Sequence, residues 1–313
     1  MTMDALPPRP ALLHPEAGPY AERVLELSRS VQAHAEHVPD IPYGDDYWQK
    51  LDVYLPSEVT EGPVPVLMFL HGGAWTCGYK EWMGFMAPLF IDLPAIFISV
   101  SYRLSPESRF PDALWDTQDA LSWVWRNIGV HGGDPDRIAL GGHSAGGHLA
   151  ALTALDSEGL VRRGLPADVV KACLPVSAPF DLRAPPQQRD AGQQRAYRDF
   201  LAREEDDAEA SPILRVRPVA TRFLVAWGED DFPRIRTQGP LMVDALSHAG
   251  VETSWIELQD SSHFDTSLQC MQPGHAWTRA ARELLSSMHS PLKPGEEVRG
   301  SPGAPAHRNT EQT

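Results

Sequence analysis

Cysteine is scarce in this chain of 313 residues: there are three, Cys77, Cys173 and Cys270, far apart and never in a CxxC pair. That odd, dispersed set argues against a disulfide framework and against a zinc site, and it predicts a reducing, cytoplasmic setting. Positive charge is also in deficit. Lys and Arg number 27 against 42 Asp and Glu, the formal net charge is −15, and no Lys/Arg-rich run interrupts the acidic background. Such a chain repels a phosphate backbone, so no nucleic-acid partner is expected. Long apolar runs are missing too. The longest apolar region, residues 85–100, is broken by Pro88, Asp92 and Pro94, and it falls short of the roughly 20 apolar residues that a membrane-spanning helix requires. Residues 1–20 carry an acid and several prolines where a secretory leader needs a basic start and an unbroken apolar stretch, which predicts no export by that route. No repeat suggests a solenoid.

What is present is the balance of an ordinary globular protein, 42% hydrophobic and 22% charged, long enough for one large core. From Gln49 onward short apolar runs recur: KLDVYL, PVLMFLHGG, AIFISVSYR, RIALGGHS, KACLPVSAPFD, RFLVAWGEDD and TSWIEL. Continuous apolar strands suit a sheet buried on both faces. Helix-length segments separate them, notably residues 112–128, 144–156, 236–250 and 276–288. The alternation predicts an α/β fold: a mostly parallel, doubly wound sheet of about eight strands with helices on both faces. Residues 1–40 read as a helical appendage whose Val24, Leu27 and Val31 recur at helix spacing over 21–37. Its amphipathic face could meet a cap or a second subunit, so a homodimer is one expected assembly. Residues 41–289 form the main domain. Within it, the polar stretch 184–210 is too long for a bare connection and reads as an inserted cap or lid. Residues 290–313, rich in Pro, Gly and charge, read as a disordered tail.

One hydroxyl stands among glycines at Gly142-His143-Ser144-Ala145-Gly146, after a strand and before a helix. This is the context of a nucleophile elbow, in which small neighbours let a strained turn expose the serine. The helix that follows aims its N-terminal amides at the serine, where an oxygen gaining charge is stabilised, and the Ala145 amide is the first expected donor. A phosphate-binding turn would need a Lys-Ser/Thr pair or G-x-G-x-x-G spacing, and neither is there. Upstream, FLHGGAW ends a strand, and the glycines Gly72 and Gly73 let the backbone approach a substrate oxygen, with the Gly73 and Ala74 amides as donors. His71 reads as a loop brace. A serine hydroxyl is a weak nucleophile without a base. His263, in a polar loop after the last strand, is the base candidate. Glu229, Asp230 and Asp231 end the strand before it. Asp231 is the favoured acid because the chain can turn between Gly228 and it, with Asp230 as the alternative. The set needs no metal and no organic cofactor. Trp75, Tyr79, Trp82, Phe180, Phe232 and Phe264 neighbour these loops in sequence and are candidate walls of a substrate pocket, although aromatic rings are more often core.

HGGAW, SYRLSPESRFPDAL, GGHSAGGHLAAL, WGEDD and SSHFD, in this order, resemble the α/β-hydrolase superfamily, within it the esterase/lipase branch close to arylformamidases and hormone-sensitive-lipase-like esterases. The resemblance spans about Trp48 to the last helix. It implies a nucleophile at Ser144, an acid at Asp231, a base at His263 and an oxyanion loop at Gly72 to Ala74. It also implies a serine hydrolase of small carboxylic esters, aryl esters or lactones. Cleavage of N-formylkynurenine is the near alternative, and a small-molecule binding protein without turnover is the other. Arylformamidases continue the acid motif with Ser-Pro-Glu-Phe, where this chain has Asp231-Phe232-Pro233-Arg234.

Overall fold

The computed structural model describes residues 6, 12, 14–183, 191–272 and 274–288. The expected tail, 290–313, lies outside the described residues, as do 184–190 of the expected cap insertion.

In chain order the elements are α1 (Ala17–Gln32), β1 (His37–Pro42), β2 (Lys50–Tyr54), β3 (Val64–Leu70), α2 (Pro88–Ile91), β4 (Ile96–Val100), α3 (Asp112–Asn127), β5 (Gly133–His143), α4 (Ala145–Leu155), α5 (Ser157–Arg162), β6 (Val170–Val176), α6 (Ala191–Phe200), β7 (Arg222–Asp230), α7 (Pro233–His248), β8 (Thr253–Ser262), α8 (Asp265–Leu268) and α9 (Ala276–Ser286). The eight strands form one sheet in the order β1-β2-β4-β3-β5-β6-β7-β8. Only the pairings of β2 with β1 and β4 are antiparallel. Every residue of β3 and β4 is buried, as an unbroken apolar run requires of a strand covered on both faces. Alternation sorts the side chains. Val66, Met68 and Leu70 join a core shared with Leu121 of α3, Leu149 of α4 and Met242 of α7. Leu67 and Phe69 point the other way, into a core with Val24 of α1 and Trp277 of α9.

Two local readings differ from the structure. The first helix runs from Ala17 to Gln32 rather than over 21–37, and the chain after it becomes β1, an edge strand that straddles residue 40. Its prolines hid it, because Pro is tolerated in a strand only at an edge or a bulge. Here the register shifts between Val38 and Ile41, and Asp40 sits at φ +58° with its N–H donating to Asp52 Oδ1 at 2.8 Å. Buried Lys80 fastens the same edge, its Nζ 2.8 Å from Asp52 Oδ1 and 2.6 Å from Glu81 Oε1. The three cysteines are buried and none is in a disulfide. Among the described residues no helix is long and apolar enough to cross a membrane.

Candidate active site

The serine turn lies at the centre of the sheet, where β5 gives way to α4. Ser144 adopts φ +54°, ψ −118°, a conformation sparsely populated by residues other than glycine. Surrounding contacts hold it there. Its N–H donates to Val176 O at 2.8 Å and its carbonyl accepts the His148 N–H at 3.0 Å. The flanking glycines are a packing requirement. A Cβ on Gly142 would lie 2.3 Å from the Gly146 carbonyl carbon, and one on Gly146 would lie 2.3 Å from Leu70 O. All residues of α4 are buried, and Ala145 at its first position has an N–H without an intrahelical acceptor.

Asp231 follows the end of β7 and His263 follows β8, so parallel neighbours deliver both to the same end of the sheet as Ser144. The Ser144 hydroxyl donates to His263 Nε2 at 2.9 Å, and His263 Nδ1–H donates to Asp231 Oδ1 at 2.7 Å. Burial pushes the Asp231 carboxyl up. Electrostatic attraction to the His263 ring and the hydrogen bonds from it, from Ser177 and from the Phe232 N–H outweigh that, and its pKa ends below the usual carboxylate value. Asp230, the alternative, is exposed and ends β7 opposite Ser262. The His263 carbonyl accepts two further bonds, from His143 Nε2–H and from the Thr266 hydroxyl, both at 2.8 Å. Burial, with His263 close by, pushes the pKa of His143 down and keeps that ring neutral. This brace was legible only as the variable residue of the serine motif.

The loop after β3 carries three successive residues at positive φ: Gly73 (+119°), Ala74 (+52°) and Trp75 (+61°). A Cβ on Gly73 would fall 2.0 Å from Cys77 O, so that position admits glycine alone. His71 braces the loop, as its sequence position suggested. It is stacked 4.3 Å from Tyr102, donates through Nδ1 to Gly72 O at 2.7 Å, and is pushed down to about 4 by burial. The Trp75 indole donates to His148 Nδ1 at 3.2 Å, and His148 Nε2–H donates to Ala210 O. Trp75 also stacks on Phe200 of α6 at 4.3 Å. The loop is thereby joined both to α4 and to the segment inserted after β6.

A cavity of about 140 Å³ opens over the serine. Of the residues singled out from sequence, Gly73, Ala74, Trp75, Trp82, Ser144, Ala145, Phe232, His263 and Phe264 line it. Gly72 lies beneath, its would-be Cβ 3.2 Å from Ser144 Cβ. Two expectations are corrected. Tyr79 does not reach the cavity because it stacks on Trp48 at 5.7 Å, and Phe180 is 1% exposed in the core beneath α4 and α7. Cys77, His143, Pro179 and Arg234 also line the cavity, and the rest of the wall comes from residues that sequence reasoning missed: Leu12, His14, Ala17 and Tyr20 from the N-terminal segment, and Gly192 and Ala196 from α6. The amphipathic pattern of α1 showed that it packs, but not against what. Among the described residues no group of three His, Cys, Asp or Glu could hold a metal ion.

Comparison with known proteins agrees with this architecture. Isoprenylcysteine alpha-carbonyl methylesterase ICME of Arabidopsis thaliana is 29% identical over 243 residues, covering 73% of this chain and 57% of that protein. Esterase LipC of Mycobacterium tuberculosis is 31% identical over 243 residues, covering 72% and 59%. The chain thus spans less than two thirds of the length of either relative. Among solved structures, the thermostable carboxylesterase EstE1 from a metagenomic library superposes with TM-score 0.70 at 24% identity, covering 87% of this chain and 98% of that one. These are α/β-hydrolase folds. The BD-FAE family profile matches residues 51–245, from β2 into α7 and through the serine turn, and this chain belongs to that family.

Proposed function

We propose that the protein hydrolyses carboxylic esters of small molecules by acyl transfer through Ser144. The observation that carries this reading is the unbroken hydrogen-bonded chain from Asp231 through His263 to a serine held at positive φ above a helix N-terminus. Ser144 Oγ attacks the ester carbonyl carbon while His263 Nε2 takes its proton, and the carbonyl oxygen becomes an oxyanion. The amides of Gly73, Ala74 and Ala145 receive that oxygen, with Gly72 keeping the loop close to the serine. Collapse of the tetrahedral adduct breaks the bond to the alcohol, which leaves with the proton from His263. Water then repeats the attack on the acyl-enzyme, giving the acid and restoring Ser144. Asp231 keeps the imidazole in the tautomer that accepts at Nε2 and supports its positive charge. The names of the relatives, a methylesterase and an esterase, favour esters over amides.

The test is a matched pair, a short-chain aryl ester and N-formylkynurenine, each with Ser144→Ala as the blank. Preference for the ester is expected, with the rate falling by roughly 10³-fold or more in the variant. Preference for the formamide would overturn the ester assignment. Failure of a fluorophosphonate probe to label Ser144 would overturn acyl transfer altogether.

A further inference from the structure

The cavity over Ser144 holds a charge that acyl transfer does not use. Arg234, the second residue of α7, lines it, and among the described residues no Asp, Glu or Lys does. Its Nη1–H donates to the Tyr197 hydroxyl of α6 at 2.8 Å, while its Nε is buried without a hydrogen-bond partner among the described residues. Arginine cannot discharge by losing a proton, and an unpaired charge in an apolar cavity is unfavourable. Its place in the helix adds to the mismatch. A cation in the first turn opposes the helix dipole, and the first turn of α7 carries no acid to offset it. The guanidinium edge and the dipole of α7 therefore combine into a local positive potential in a chain whose net charge is −15.

We propose that Arg234 binds a carboxylate carried by the substrate, so that the preferred esters are anionic; this rests on the acyl-transfer reading above. The planar guanidinium matches a carboxylate in geometry as well as in charge. One positive charge balances one negative charge, and among the described residues no Lys and no second Arg lines the cavity to balance a doubly charged group.

Two substrate pairs locate the carboxylate. On the acyl side, monoethyl glutarate is compared with ethyl pentanoate. On the leaving-group side, 4-carboxyphenyl acetate is compared with 4-methylphenyl acetate. The quantity read is the ratio of kcat/KM for the anionic member to that for the neutral one. In at least one pair, Arg234→Met is expected to lower this ratio on the order of 30-fold, about 2 kcal/mol at tenfold per 1.4 kcal/mol. The loss should fall mainly on KM, and Arg234→Lys should restore part of the ratio. Tyr197→Phe removes the tie to α6 and keeps the cation, so the ratio should hold. A ratio unmoved by Arg234→Met in both pairs would overturn the proposal and make Arg234 a tether between α6 and α7, while turnover of the neutral esters left acyl transfer standing. Calorimetry with the Ser144→Ala variant separates the two readings. Arg234-dependent binding of monoethyl glutarate without turnover by the unmutated protein would support the carboxylate site and overturn acyl transfer. Absence of both binding and turnover would overturn both.

Discussion

Replacing Gly146 by alanine should damage stability and turnover together. The added Cβ would lie 2.3 Å from Leu70 O and 2.5 Å from His71 O, where ordinary contact begins at 3.4 Å. Both opposing atoms are backbone at the end of β3, so no side chain can swing aside, and α4 or the strand end must move by about 1 Å to restore contact. Overpacking of this kind costs about 1–3 kcal/mol. At roughly 2 kcal/mol the thermal midpoint of a domain this large falls by about 4–8 °C. The displacement separates two halves of one site, since α4 carries the Ser144 turn and the end of β3 carries the Gly73 loop. A misplacement of about 1 Å costs on the order of 10²-fold in rate. Differential scanning calorimetry and kcat on a short-chain aryl ester measure the two effects. Gly62→Ala is the control, because a Cβ there meets nothing within 4 Å. Unchanged stability and rate in Gly146→Ala would refute the claim that this contact sets the distance between turn and loop. Lost stability with full activity would refute the mechanical coupling.

The neighbouring carboxylates should separate sharply. Asp231→Asn leaves the His263 ring without its acceptor and is expected to lower kcat by roughly 10³- to 10⁴-fold, whereas Asp230→Asn, at an exposed strand end, should turn over like the unmutated chain. Equal losses in the two would remove the assignment of the acid. Acid should weaken the fold well before the carboxylates protonate. Burial pushes His71 and His148 down to about 4, so between about pH 6.5 and 4 the unfolded chain binds protons that the native one excludes. Stability therefore falls as pH falls through that window, by about 1.4 kcal/mol per pH unit for each histidine. Urea unfolding at a series of pH values should show the slope, and His71→Gln should reduce it by about one proton. A variant with the parent slope would show that His71 takes up its proton in the native state.

Some of this protein was legible in the order of its residues. The apolar runs that became β3 and β4 needed cover on both faces, and that need alone pointed to a doubly wound sheet. Gly142, Ser144 and Gly146 stated a local backbone demand, a sharp turn between strand and helix with room for nothing larger, and such demands are met by adjacent residues wherever the segment packs. The rest was settled by contacts distant in sequence. Asp230 and Asp231 are chemically equal on paper, and the turn after β7 exposes one and buries the other against His263. Phe180 and Tyr79 border the site loops in sequence, yet the core and Trp48 claim them. Tyr20 and Ala17 became cavity wall because α1 settles across the sheet toward His263, and amphipathicity specifies that a helix has a buried face without specifying what buries it. Arg234 was visible as a departure from a motif. That it lines the same cavity as Ser144, with its Nε unpaired, follows from the way α6 and α7 pack over the end of the sheet. Backbone geometry is dictated by neighbours along the chain, whereas the company a side chain keeps is decided by packing between elements that the sequence leaves far apart.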